Sequence, residues 1–520
     1  MKMASIVAGL TLVVLCIPSA VFAVQMGDKG TFYYRQFDHL PPYTPTDQVP
    51  LTATCVAVTE HAYWFVDDAA NNVNDFDVDD LMEWLTLFEV STPGDATKGA
   101  MALLGDTYGY PRTVDDDDRV YLVFHDFTAM PGRCQTYAYW RQEDIQAGEN
   151  ANPHDVFYLH AGNLDGQDVC GSVTDITRNV AMPAVLKEYV HFLVAGHDLN
   201  ESPWVREGLA LMGLYQAGYY TQWSNDVQVF ATTASARFKE TDRGLSYTYN
   251  NGALFLFFTY LQEQKGKAAL TSMVTGPAAD FNAVAQAVGE ADGLTFYRRW
   301  TAANWINEGR TYGYQDISVP SLVATKIVRD LDRQDLYGVR SWSTDYIKVV
   351  TQSLDIKDRL RISLDTQEPR QIVADYIQMQ EPRSLSLVRA FDEVLNSDGS
   401  ITYRADLEEL GPSSPEVMVI ITRTAEDNLP LTVALTTELN IPLPVDGDED
   451  EELEPELEPE PEPEPEDEAE PEQPEWEEYV LDRRERNPGG SSSGCNGMEP
   501  SALVTILLAM GAVRRWRKNA

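Results

Sequence analysis

The chain is poor in the residues from which metal sites and covalent cross-links are built. It has seven histidines and five cysteines among 520 residues. No two cysteines stand in a CxxC spacing, so a structural zinc cluster of the cysteine type is not expected. Basic residues are scarce as well, 39 against 82 acidic ones, for a formal net charge of -43. Nothing in that balance would neutralise the phosphates of a duplex, so nucleic acid is excluded as a partner. There is no Gly-rich phosphate loop. The two apolar stretches at the ends are both too short for an ordinary membrane span.

The N-terminal stretch, MKMASIVAGLTLVVLCIPSAVFA, has a lysine-bearing start, an apolar run and a small-residue end at Val21-Phe22-Ala23. It reads as a signal peptide over residues 1–23, which predicts export through the inner membrane. Cys16 follows Leu15, a larger residue than lipoprotein signals use. Outside the leader remain Cys55, Cys134, Cys170 and Cys495. An exported chain can keep a disulfide among the first three, with the pairing open.

A hydrophobic fraction of 43% predicts that most of the chain is folded. Residues 24–312 read as one α+β domain. LTATCVAVTEHAYWFVDD, DRVYLVFHDF and HDVFYLHAG are β-branched and aromatic runs with the look of strands. From about Asp175 the pattern turns helical. Ser202-Pro203 offers an N-cap and first-turn proline, and YNNGALFLFFTYLQEQKG reads as a buried helix ending at Gly266. Residues 313–443 hold short β-rich runs broken by Pro, Gly, Asn and Asp, which predict a small β-sandwich. Residues 444–488 are acids and prolines that bury too little apolar surface to fold, and read as an extended spacer. Residues 489–520 combine a Gly/Ser hinge, Gly494-Cys495-Asn496, an apolar run from Ser501 to Val513 and a basic end. The expectation there is membrane contact through residues 501–518.

The chemistry sits in AMPAVLKEYVHFLVAGHDLNESPWVREGLALMGLY. In a His-Glu-x-x-His zinc helix, residues four apart share a face, two imidazoles meet one metal, and the glutamate acts as general base on metal-bound water. Here the second His is His191, the base position is Glu188, and a Trp-x-x-Glu-Gly-Leu-Ala segment supplies Glu207 as the later ligand. The first His position holds Lys187. These segments resemble the hyicolysin group of gluzincin zinc peptidases. VAVTEHAYWFVDD, VDDDDRVYLVF, HDVFYLHAG, YNNGALFLFFTYLQEQKG and FYRRWTAANWINEG are similar to that group's framework, in the same order over residues 30 to 310. The resemblance implies a metallopeptidase fold with Glu188 as base and His191 and Glu207 as zinc ligands. The tail is similar to tripartite sorting tails of Gram-negative bacteria, in the Ser-rich/Gly-Cys-Asn form of Synergistetes. It implies an envelope sorting protease as partner and Cys495 as a processing-site residue.

Lys187 departs from the pattern. An ammonium has no lone pair to give a metal and repels a divalent cation. It is expected to lie between Glu188 and Glu207 and replace the ion electrostatically. Zinc would then bind only at a site rebuilt with another ligand, for which His39, His61, His125, His154, His160 and His197 are the candidates. His197 is expected in the loop before Asn200, whereas His160 ends a strand and is the better placed. The clustered aspartates of VDDDDR hint at calcium but lack EF-hand spacing, and read as a solvated loop. Tyr247 and Tyr249 stand where a peptidase could place an oxyanion-stabilising tyrosine, but aromatics before a buried helix are more often core, and neither is assigned to the site.

The sequence therefore predicts an exported envelope protein whose peptidase-like domain binds peptide or protein while being inactive or weak. The alternatives are an active zinc endopeptidase with a rebuilt metal site, and an adhesion or structural protein using the fold as a scaffold.

Overall fold

A computed structural model describes residues 24–37, 45–69, 78–110, 114–115, 117–125, 137–146, 151–161, 181–233, 235, 237–239, 247–380, 383, 386–426 and 430–441. The leader, Cys134, Cys170, the acidic segment, Cys495 and the C-terminal tail lie outside the described residues, as do the side chains of Tyr247 and Tyr249.

The chain opens with β1 (Lys29–Phe37), β2 (Pro45–Val58) and β3 (Ala62–Asp67), an antiparallel meander. β4 (Val120–His125) and β6 (Val156–His160) add to it in parallel, and β5 (Ala138–Trp140) closes the edge against β6, giving the order β1-β2-β3-β4-β6-β5. The runs YWFV, VYLVF and VFYL are continuous rather than alternating because both faces are covered. Trp64, Leu122, Phe124 and Phe157 face the main core, whereas Tyr63, Phe65, Tyr121 and Tyr158 form a smaller cluster with Phe32 on the other side.

Among the described residues the main core lies under ten α-helices: α1 (Val78–Leu85), α2 (Ala100–Tyr108), α3 (Gln142–Gln146), α4 (Met182–His197), α5 (Pro203–Gln216), α6 (Asn225–Thr232), α7 (Tyr247–Lys265), α8 (Lys267–Thr275), α9 (Phe281–Val288) and α10 (Gly293–Ile306). From Ala253 to Leu261 α7 is apolar except for Thr259, as suits a helix buried all round. It ends as expected at Gly266, whose φ of 83° is a left-handed conformation that glycine adopts without strain. α5 begins at Pro203 as the dipeptide predicts, with Ser202 extended at the N-cap, but the Ser202 hydroxyl makes no capping bond.

Ten strands follow: β7 (Lys326–Val328), β8 (Arg333–Val339), β9 (Thr344–Val350), β10 (Leu360–Thr366), β11 (Ile372–Gln378), β12 (Leu387–Ala390), β13 (Asp392–Leu395), β14 (Ile401–Leu407), β15 (Glu416–Arg423) and β16 (Leu431–Leu439). They form two five-stranded sheets, β13-β14-β10-β16-β8 and β12-β11-β15-β9-β7. In β15 the residues Val417, Val419 and Ile421 fill the space between the sheets, whereas Met418 and Ile420 join the helical core. The second sheet is thus a middle layer. β16, in the outer sheet, alternates buried and more exposed residues in the usual manner of a one-sided strand.

The seam between the two parts is polar as well as apolar. Arg298 of α10 donates to both oxygens of Asp375 on β11, at 2.9 and 2.5 Å. Tyr346 donates to the Thr301 carbonyl at 2.9 Å, and Phe281 stacks on Trp342 with centroids 4.9 Å apart. The whole is an α+β protein. No helix among the described residues is long and apolar enough to cross a membrane.

Candidate functional site

Lys187, Glu188 and His191 all project from α4, and Glu207 from α5, the helix packed beside it. The close approach of α5 to α7 is permitted by Gly208: a Cβ there would stand 2.1 Å from the Phe258 ring. The residue after Glu207 is therefore small for a packing reason.

The four side chains form a chain of opposite charges. The Lys187 ammonium pairs with Oε1 of Glu207. Oε2 of the same carboxylate lies 3.4 Å from His191 Nε2, and His191 Nδ1 lies 3.7 Å from Glu188 Oε2. Burial of Glu207, which keeps only 8% of its side-chain exposure, works against its charge. Lys187 and His191 outweigh that cost and hold the carboxyl down at about 2. Burial likewise disfavours charge on His191, but Glu188 and Glu207 together lift it to about 9. At neutral pH the network is therefore two cations alternating with two carboxylates.

Sequence reasoning missed Asp226, at the start of α6. It accepts from the Tyr220 hydroxyl at 3.1 Å and the Asn251 amide at 3.4 Å. Burial raises its pKa, with the Lys187 charge pulling the other way and Glu207 adding to the rise. No spacing in the sequence announces it, because α6 lies outside the two motif helices.

These residues do not fit a zinc ion as they stand. His191 Nε2 is buried without an aligned hydrogen-bond partner among the described residues, the posture of a ligand atom. Its neighbours are wrong for that role. One Glu207 oxygen is taken by the Lys187 ammonium, which stands at the first ligand position and has no lone pair to give a metal. Among the described residues no group of three His, Cys, Asp or Glu side chains is arranged to hold a metal. Lys187 does not bridge two carboxylates in the manner expected: its ion pair is with Glu207, while Glu188 faces His191.

The other candidates have their own places. His197 is the last residue of α4 rather than a loop residue, and its ring packs over Gly109. His160 ends β6 beside His125 of β4, and His125 lies 3.0 Å from the Tyr139 hydroxyl. His61 lies 2.7 Å from Glu89, and His154 pairs with Asp115. His39 lies outside the described residues. Within VDDDDR, Asp117 accepts from the Tyr63 hydroxyl at 2.6 Å and Asp115 pairs with His154, so these two aspartates of the loop have protein partners, while Asp118 is exposed. Cys55 is a free, buried thiol and not a disulfide partner.

No family model matches the chain, and no curated protein matches it. Among solved structures it has a faint likeness to a family GH115 4-O-methyl-alpha-glucuronidase with specificity for decorated arabinogalactans. The identity is 6% over 64% of this chain and 54% of that one, with a TM-score of 0.13. A superposition that poor carries no argument about fold or activity.

Proposed function

We propose that this protein is an exported, cell-envelope homologue of gluzincin peptidases in which a lysine has taken the place of the metal, leaving a domain that binds peptide or protein without hydrolysing it. One observation carries the reading: the Lys187 ammonium lies against the Glu207 carboxylate that the hyicolysin-like motif would assign to zinc. An ion pair of this kind compensates the buried carboxylate, as a cation must, but it cannot polarise a carbonyl or generate hydroxide. Glu188 and His191 keep 30% and 20% side-chain exposure, so polar groups remain at hand for a ligand's backbone. The leader and the basic-ended tail support placement in the envelope.

The test is zinc content of the full-length protein beside its Lys187→His variant, followed by peptidase assays. The expected result is no zinc in the parent and near-stoichiometric zinc in the variant. Stoichiometric zinc in the parent, with peptide hydrolysis abolished by a chelator, would overturn the proposal.

A further inference from the structure

Away from the α4–α5 site, a cavity of about 150 Å³ opens between the first two turns of α10 and the edge hairpin β11–β12. Thr295, Arg298, Arg299, Arg389 and the carboxylate of Asp375 line it with polar groups, and Val388 and Ala390 supply an apolar wall. Three guanidinium groups in one small cavity are a local exception in a chain with twice as many acids as bases. Two of them are already oriented. Asp375 holds Arg298 through Nε and Nη2, and Glu290 holds Arg299 through Nη2, each leaving an Nη1 group without a described partner. Asp292, the N-cap of α10, adds its charge to the surroundings of Arg298. Arg389, exposed on β12, has no ion pair among the described residues.

We infer that this cavity binds a small oxyanion, a carboxylate or a phosphate group, with Arg389 as the principal contact and Arg298 and Arg299 as positioned donors. The donor geometry favours that chemistry. Asp375 and Glu290 hold Arg298 and Arg299 as fixed hydrogen-bond donors, Asp292 brings a third acid to the three guanidinium groups, and Arg389, without an ion pair among the described residues, is the group left to meet an anion. A guanidinium fork matches the two oxygens of a carboxylate or phosphate, and an orientation fixed in advance lowers the ordering cost of binding. Thr295 stands in the first turn of a 14-residue helix, whose N-terminal end favours negative charge. The site also spans the seam between the helical part and the middle sheet, a usual place for small-ligand pockets. It would accept one acidic group of a larger molecule, since the cavity itself has room for little more.

The experiment is calorimetric titration of the full-length protein with inorganic phosphate and, separately, with acetate, for the parent, Arg389→Ala and Arg389→Glu. Arg389 is exposed on an edge strand, so both variants are expected to keep the parent's melting temperature. Binding of one of the two anions, weakened roughly tenfold or more in Arg389→Ala and lost in Arg389→Glu, would support the site and identify which oxyanion it takes. Absence of binding of both anions at about 10 mM would overturn it, as would unchanged binding in Arg389→Glu.

Discussion

Lys187 and Glu207 meet across the α4–α5 contact, the ammonium on Oε1 and the imidazole of His191 facing Oε2. One carboxylate thus serves two cations from the neighbouring helix.

Replacing Lys187 with alanine leaves Glu207 buried beside a single cation. The expected loss is about 2–4 kcal/mol, below the full value for a wholly buried pair because Lys187 keeps 18% exposure. Urea unfolding of the parent and variant measures it, and a chelator added to the parent should leave the midpoint where it was.

Glu207→Gln removes the acceptor shared by Lys187 and His191. The His191 titration, followed by NMR, is expected to fall from about 9 toward its ordinary range, held up then only by Glu188. An unmoved titration would mean that Glu188 alone holds the proton.

Stability should peak in mildly acidic solution. Glu207, depressed to about 2, contributes fully above pH 4.5 and loses that contribution as the pH falls toward 2. His191, raised to about 9, contributes fully below pH 6.5 and loses its contribution as the pH rises through 9. Asp155, pushed up to about 7 by burial, penalises folding when ionised, and the penalty fades as the pH drops below 7. Thermal melts across pH 3–9 are therefore expected to show a maximum near pH 4, where the gain from ionising Glu207 gives way to the penalty on Asp155, with a further fall above pH 6.5 from His191.

Gly208→Ala tests whether helix packing places the carboxylate. With 2.1 Å between the new Cβ and the Phe258 ring, α5 must shift, at a cost of about 1–3 kcal/mol. The accompanying sign is a lowered His191 titration, because Glu207 moves with the helix.

Cys55 should resist alkylation in the folded protein. Burial pushes its thiol up to about 12, and its Sγ donates to the Ala57 carbonyl at 3.3 Å. Mass spectrometry after iodoacetamide treatment, with and without denaturant, reads this directly.

The strands and the long buried helix were legible because their residue types match their burial. VYLVF can only be a covered strand, and the apolar run through Phe258 ends where Gly266 permits a left-handed turn. The two motif helices were legible from spacing, since i and i+4 share a face. What escaped was set by tertiary geometry. Nothing local tells that α4 runs on to His197, that Lys187 turns to Glu207 and leaves Glu188 to His191, or that Asp226 comes into the same charge field. The middle layer was also hidden: VMVIIT announces burial on both sides, but not that its second neighbour is a helical core.

That middle layer has a consequence for how the protein can be divided. Burying a large apolar side chain contributes about 1.5–3 kcal/mol, and Trp342, Tyr346, Met418 and Ile420 all belong to the helical core rather than to the sandwich. A fragment cut near residue 312 would carry a raw apolar face into water, and its partner fragment would carry the matching one. The two parts are therefore not interchangeable modules on a string. They are expected to melt in one transition, and any shuffling of such a chain, by an engineer or a genome, must move them together.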